Sequence, residues 1–104
     1  DLTLLGMGED GHTLSLFPNS LVLFQNNKWV SAVSSKQKGK RITLLPSVVN
    51  RSSAIIFLVT GASKATTLKK VLEEEYQPDK FPAQLIKPAN NELHWFVDEE
   101  AAKI

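Results

Sequence analysis

A carboxylate and an imidazole stand two residues apart in the glycine-rich stretch GMGEDGH, as Asp10 and His12. Histidine has an ordinary pKa of about 6.5, so a neutral ring can take a proton from water near neutral pH and return it later. A carboxylate beside the ring would orient it and stabilise the imidazolium. The pair therefore predicts acid–base catalysis by His12 with Asp10 as its partner. Hydrogen bonding within a turn is the alternative for His12, and an Asx turn or helix N-cap is the alternative for Asp10.

Three glycines surround this pair, at positions 6, 8 and 11. Glycine lets the backbone turn sharply and approach a ligand closely. We expect these three glycines to serve the geometry of the backbone. A second expected role, assigned to Gly8 and Gly11, is substrate binding through backbone amides that polarise a carbonyl or donate to the ligand. Glu9 is expected to face solvent.

Lys64 is a candidate phosphate ligand. It follows Gly61 at a predicted strand-to-helix junction, where backbone amides and the helix dipole favour an anion. An ammonium group would add a full positive charge to that site. The alternative is an ordinary lysine in the first turn of a helix, although a cation there is mildly unfavourable without an anion nearby.

The elements that must position these residues alternate between strands and helices. The apolar pattern predicts strands over 2–5, 29–33, 42–45, 54–59 and 93–97, and helices over 13–17, 46–50, 63–76 and 98–102. The segment 54–59 is continuously apolar, as is typical of a parallel strand covered on both faces. Asp98 is expected to cap the last helix. This alternation predicts an α/β layered fold.

Several other residues receive structural interpretations. The aromatic side chains predicted to lie in the core are Trp29, Phe57, Trp95 and Phe96. His94 is expected to be structural or on the surface. The basic segment 36–41 is interpreted as a solvated loop.

Composition narrows the class of protein. The chain has 104 residues, 42% hydrophobic and 22% charged, which suits one domain or part of one. No apolar run approaches the roughly 20 residues that span a bilayer, so no membrane partner is predicted. A net charge of +1 gives no reason to expect nucleic acid. There is no cysteine, which is compatible with the cytoplasmic location that we predict. The two histidines have no spacing that indicates a metal site, and no cofactor is predicted.

The stretch GMGEDGHTLSLFP resembles the hallmark GxGxDGHTxSLFP of the 6-phosphogluconolactonase family. The match is long and ungapped. Later segments also resemble successive family blocks, among them RITL at 41–44, GASKA at 61–65 and WFVDE at 95–99. Leu14 and Leu45 depart from the family pattern, where a small residue and a threonine are usual.

The resemblance implies a Rossmann-like parallel sheet with flanking helices. Since the family has an additional N-terminal half, residues 1–104 are expected to be the C-terminal portion of a single lactonase domain, with the N-terminal half of the fold absent from this chain. The implied reaction is hydrolysis of 6-phospho-D-glucono-1,5-lactone to 6-phosphogluconate, in the oxidative pentose phosphate pathway. Arg41 matches the arginine that opens the family's R-[IV]-[TS]-L block, so Arg41 is a second candidate ligand of the phosphate, beside Lys64. The alternative interpretation is that Arg41 is one more charged residue of the basic loop.

Two other functions stay open at this point. The related glucosamine-6-phosphate deaminases share GxGxDGH, but the continuation TLSLFP after His12 argues against that activity. A non-catalytic module that binds a sugar phosphate is the alternative outside enzymes.

Overall fold

The computed structural model of the chain describes residues 1–35 and 39–103. Three strands form a parallel sheet: β1 (Leu2–Leu5), β4 (Ala54–Val59) and β5 (Leu93–Val97), in the order β1–β4–β5. Leu4 pairs with Ile56 and Ile56 pairs with His94 across the sheet. All three strands end at the same edge, because neighbouring strands run parallel. These strands and the α/β layered architecture confirm the fold predicted from the sequence.

One helix covers one face of this sheet. The helix α2 (Ala65–Glu73) follows β4 through a 3-10 turn, Ala62–Lys64. Its buried residues are Ala65, Leu68 and Val71, which lie on one stripe of the helix. They pack with the inward side chains of β4, Ile55, Phe57 and Val59, which are almost completely buried. A second 3-10 turn, Pro82–Leu85, packs against the same cluster through Ala83.

The other face of the sheet is open in this chain. Its apolar side chains Leu2, Leu4, Leu58 and Phe96 are each more than half exposed. The expectation that both faces of the strand 54–59 are covered is therefore wrong for the residues described. Phe96 and Trp29, at 59% and 63% exposed, are not core residues, whereas Phe57 is buried and stacks on Trp95 at 4.0 Å between ring centroids.

A separate antiparallel hairpin lies between β1 and β4 along the chain. It consists of β2 (Val30–Ser35) and β3 (Gly39–Leu44), and α1 (Pro46–Val49) follows it. The hairpin packs with the 3-10 turn Leu21–Phe24 around a second cluster of buried residues, Leu16, Val22, Leu23, Val33 and Leu45. Lys40 and Arg41, predicted to lie in a solvated loop, are strand residues, and positions 36–38 of that predicted loop lie outside the described residues.

Two predicted helices are turns. Residues 13–17 form a tight turn, in which the Leu16 amide donates to the Thr13 carbonyl and Leu14 has a φ of 57°. A positive φ excludes a right-handed helix at that residue. Residues 98–102 form a single turn, in which the Ala101 amide donates to the Asp98 carboxylate as a cap would. The helix predicted over 63–76 ends at Glu73.

Candidate active site

The glycine loop, residues 6–12, begins directly after β1 at the edge where the parallel strands end. In open α/β sheets this edge is where ligands bind. Asp10 and His12 meet there: His12 Nδ1 lies 2.5 Å from Asp10 Oδ1. The same oxygen accepts the backbone amide of His12 at 3.1 Å. The structure thus brings together the two residues predicted to act as a pair.

The charge state of Asp10 fixes the direction of this hydrogen bond. Partial burial acts to raise the pKa of Asp10, but the hydrogen bonds and charge of His12 outweigh it and hold that pKa below its ordinary value. An ionised carboxylate can only accept, so Nδ1 donates, and the neutral ring then carries its lone pair on Nε2. Nε2 makes no hydrogen bond to the residues that the structure describes. It is left available to accept a proton.

The ring of His12 lies directly over Gly8. A Cβ atom added at Gly8 would be 2.2 Å from His12 Cε1 and 2.9 Å from Asp10 Oδ1, so no side chain fits beneath the pair. Gly11 has a φ of 86°, which favours glycine, and it packs against Phe81. These two glycines serve the geometry of the loop.

The amides of Gly8 and Gly11 are used inside the loop. Gly8 donates to the His12 carbonyl at 2.9 Å and Gly11 donates to the Gly8 carbonyl at 3.0 Å. Each of these N–H groups therefore already has an acceptor in the loop, and the role of Gly8 and Gly11 in substrate binding stays a prediction. Glu9 is exposed, as expected.

Lys64, in the 3-10 turn that follows β4, reaches the glycine loop that follows the neighbouring strand β1. Its Nζ atom donates to the Met7 carbonyl at 2.6 Å, and the residue is half-buried. An ammonium group has three N–H donors, so this contact leaves two for an anion. The structure therefore places the predicted cation beside the histidine loop, a contact that the sequence did not indicate.

The backbone amide of Gly61 is not free at the junction that precedes Lys64. It donates to both carboxylate oxygens of Asp98, at 3.1 and 3.2 Å. Hydrogen bonds from the amides of Ala101 and Gly61 hold the pKa of Asp98 below its ordinary value. Asp98 is thus an internal anion at the position where an amide was expected to receive phosphate.

Arg41 lies on the hairpin, at an exposed position of β3 paired with Val33. Thr43, two residues along the strand, shares its face because side chains alternate along a strand. The Thr43 hydroxyl accepts the amide of Ser15 at 3.1 Å, so that face of the hairpin borders the turn that follows His12. Arg41 and Lys64 therefore lie on different elements, Arg41 on the hairpin and Lys64 in the 3-10 turn after β4.

An open cleft of about 340 Å³ lies beside the histidine. Its lining residues are Gly6, Met7, Gly8, His12, Thr13 and Leu14. Across residues 1–35 and 39–103, no group of three histidine, cysteine, aspartate or glutamate side chains is placed to hold a metal ion. His94 is exposed and pairs with Glu92, outside this cleft.

Sequence reasoning did not identify three side chains that support the loop. The Thr13 hydroxyl donates to the Gly6 carbonyl at 2.8 Å, Phe17 packs on the His12 ring at 4.8 Å between centroids, and Thr67 donates to the Glu9 carbonyl at 2.6 Å. Thr13 and Phe17 lie within the stretch GMGEDGHTLSLFP, so their place in that motif was the feature of the sequence that could have indicated them. For Thr67 the only signal was its spacing of three residues from Lys64 on the predicted helix.

No helix among the described residues is long and apolar enough to cross a membrane. Residues 1–95 match the model of the family described as glucosamine-6-phosphate isomerases/6-phosphogluconolactonase. The human protein named 6-phosphogluconolactonase is 42% identical over 106 residues, which cover the whole of this chain and 41% of the human protein. The Synechocystis protein of the same name is 39% identical over 103 residues, covering 99% of this chain and 42% of that protein.

A solved structure of 6-phosphogluconolactonase from Trypanosoma brucei has a TM-score of 0.84 at 28% identity and covers 99% of this chain and 41% of its own. The fold and the loop define an α/β protein with a histidine–carboxylate pair at the carboxyl edge of a parallel sheet. The chain belongs to the glucosamine-6-phosphate isomerase/6-phosphogluconolactonase family. It spans about 41% of the length of the curated relatives compared above.

Proposed function

We propose that this chain is the C-terminal portion of a lactonase domain that hydrolyses 6-phospho-D-glucono-1,5-lactone to 6-phosphogluconate, in the cytoplasmic pentose phosphate pathway. The observation that carries the proposal is the 2.5 Å contact between Asp10 and His12, which leaves Nε2 beside an open cleft with no hydrogen-bond partner among the described residues. The names of the relatives support the choice of substrate.

In the proposed reaction, His12 Nε2 takes a proton from a water molecule as the water oxygen attacks the lactone carbonyl carbon. Asp10 stabilises the imidazolium through the hydrogen bond at Nδ1. The tetrahedral intermediate then collapses, the bond between the carbonyl carbon and the ring oxygen breaks, and His12 returns its proton to that oxygen. The products are the open-chain acid and a regenerated neutral histidine.

Lys64 and Arg41 are the proposed ligands of the substrate phosphate. Lys64 keeps two N–H donors beyond the one that it gives to the Met7 carbonyl, and its ammonium group carries a positive charge. The amide of Gly61 is not available to phosphate, because it donates to Asp98. Arg41 would add a planar guanidinium from the hairpin side. Gly8 acts in this proposal as part of the cleft wall, and Gly11 holds the turn in which Asp10 and His12 lie.

The test is the rate of lactone loss at near-neutral pH, compared with the spontaneous rate, for this chain and for a longer protein that carries it. The proposal predicts acceleration by the longer protein. Release of ammonia from glucosamine 6-phosphate would instead support a deaminase. Binding of 6-phosphogluconate with no acceleration by either protein would support a non-catalytic module.

A further inference from the structure

Two side chains at the start of α2 hold the glycine loop by its backbone carbonyls. Lys64 Nζ donates to the Met7 carbonyl, and the Thr67 hydroxyl donates to the Glu9 carbonyl, each at 2.6 Å. Residues three apart on a helix lie on the same face, so both side chains reach the loop together. Lys64 already has a proposed role toward phosphate, whereas Thr67 has none.

Thr67 acts on the peptide unit that leads into Asp10. The Glu9 carbonyl and the Asp10 amide belong to one rigid plane, so a bond that holds the carbonyl also sets the orientation of the following residue. Asp10 Oδ1 in turn accepts both the ring and the amide of His12. The Thr67 hydroxyl is thus connected to the His12 ring through the Glu9 carbonyl and Asp10.

The hydrogen bonds within the loop do not replace this contact. Gly11 donates to the Gly8 carbonyl and Gly8 to the His12 carbonyl, which closes the loop on itself. The Ala83 amide donates to the Gly11 carbonyl at 2.9 Å, which fixes the loop to the 3-10 turn Pro82–Leu85 but leaves the Glu9 carbonyl to Thr67. Lys64 and Thr67 donate the side-chain hydrogen bonds that tie this loop to α2 and the 3-10 turn before it, in the part of the chain that the structure describes.

We propose that Thr67 is a positioning residue that sets the Asp10–His12 geometry through the Glu9 carbonyl, an inference that rests on the proposed function of that pair. The contact is exposed, so water can hydrogen-bond the carbonyl when the hydroxyl is removed. We therefore expect the loss of Thr67 to displace the pair without unfolding the protein.

The experiment compares Thr67→Val, which removes the hydroxyl at nearly constant shape, with Thr67→Ser, which keeps it. Thr66→Val is the matched control, because Thr66 is the exposed neighbour on the same helix. Circular dichroism checks the fold, and Thr67→Ala takes the place of Thr67→Val if that variant does not fold. Kinetics use the form of the protein that hydrolyses the lactone.

A second readout does not depend on activity. Nitrogen-15 spectra of the histidine rings in the 104-residue chain report the hydrogen bond at His12 Nδ1. His94 is the only other histidine and contacts Glu92 instead, so its signals are an internal reference.

We expect Thr67→Val to lower kcat about tenfold with KM changed by less than about twofold, and Thr67→Ser to restore most of the rate. The His12 ring signals should shift in Thr67→Val and stay in place in Thr66→Val. Unchanged signals in Thr67→Val, or equal shifts in both valine variants, would overturn the proposal. If no form of the protein accelerates lactone loss, the proposed function fails, and the spectra still decide whether Thr67 positions the pair.

Discussion

Gly8 is the residue on which the position of the His12 ring depends most directly. Gly8→Ala would place a Cβ atom 2.2 Å from the ring, so the ring must move and its contact with Asp10 must break. We expect the lactonase rate to fall by about two orders of magnitude, as is typical of a misplaced catalytic group. Steady-state kinetics of the variant and the parent protein measure the effect.

Gly6→Ala is the control for this substitution. A Cβ atom at Gly6 meets nothing within 4 Å, and Gly6 has no positive φ. The rate should therefore stay within about twofold of the parent. Equal losses in both variants would mean that the loop tolerates no added methyl group, and the specific contact between Gly8 and His12 would not explain the result.

Asp98 connects two elements, because it follows β5 and accepts the amide of Gly61 before α2. Its pKa in the folded chain is lowered, chiefly by the amide of Ala101. A lowered carboxyl pKa stabilises the fold above the unfolded value of about 3.9, and this contribution is lost as pH falls through the folded value. Asp98→Asn should thus lower the unfolding midpoint at pH 7, and the difference from the parent should shrink below about pH 4.

Thermal unfolding followed by circular dichroism between pH 7 and pH 3 tests this prediction. Glu99→Gln is the control, since Glu99 is the next residue along the chain and is exposed. A difference between parent and Asp98→Asn that stays constant across this range would contradict the role of the ionised carboxylate.

The elements differ in how much of them the sequence predicts. The strand 54–59 is identifiable because its side chains are continuously apolar, and the loop of Asp10 and His12 is identifiable from its glycines and its resemblance to a family. The turn at 13–17 is not identifiable in this way. Leu14 takes a positive φ there, and the Thr13 hydroxyl bonds the distant Gly6 carbonyl, and neither feature follows from local periodicity. Likewise, the bond between Asp98 and Gly61 joins residues 37 positions apart.

At the scale of the whole molecule, the open face of the parallel sheet is the largest departure from the predicted architecture. Leu58 on β4 and Phe96 on β5 are neighbours across the sheet, and both side chains are more than half exposed. Leu4 on β1 is also more than half exposed. Contiguous exposed apolar surface favours association. We expect the 104-residue chain to self-associate as its concentration rises.

Leu58→Lys should reduce this association by placing a charge in the middle of the open face. Sedimentation velocity over a range of concentrations measures it. Leu21→Lys is the control for added charge, because Leu21 is 95% exposed and lies in a 3-10 turn away from the sheet. If both lysine variants reduce association equally, net charge is responsible and the open face is not.

His12, oriented by Asp10, is the proposed acid–base group of a lactonase. The most direct test compares the lactone hydrolysis rate of the active protein with that of His12→Ala, after subtraction of the spontaneous rate. General acid–base catalysis contributes typically about 10²- to 10⁴-fold, so we predict a loss within that range. A His12→Ala variant that folds normally and hydrolyses the lactone at the parent rate would contradict the acid–base role of His12.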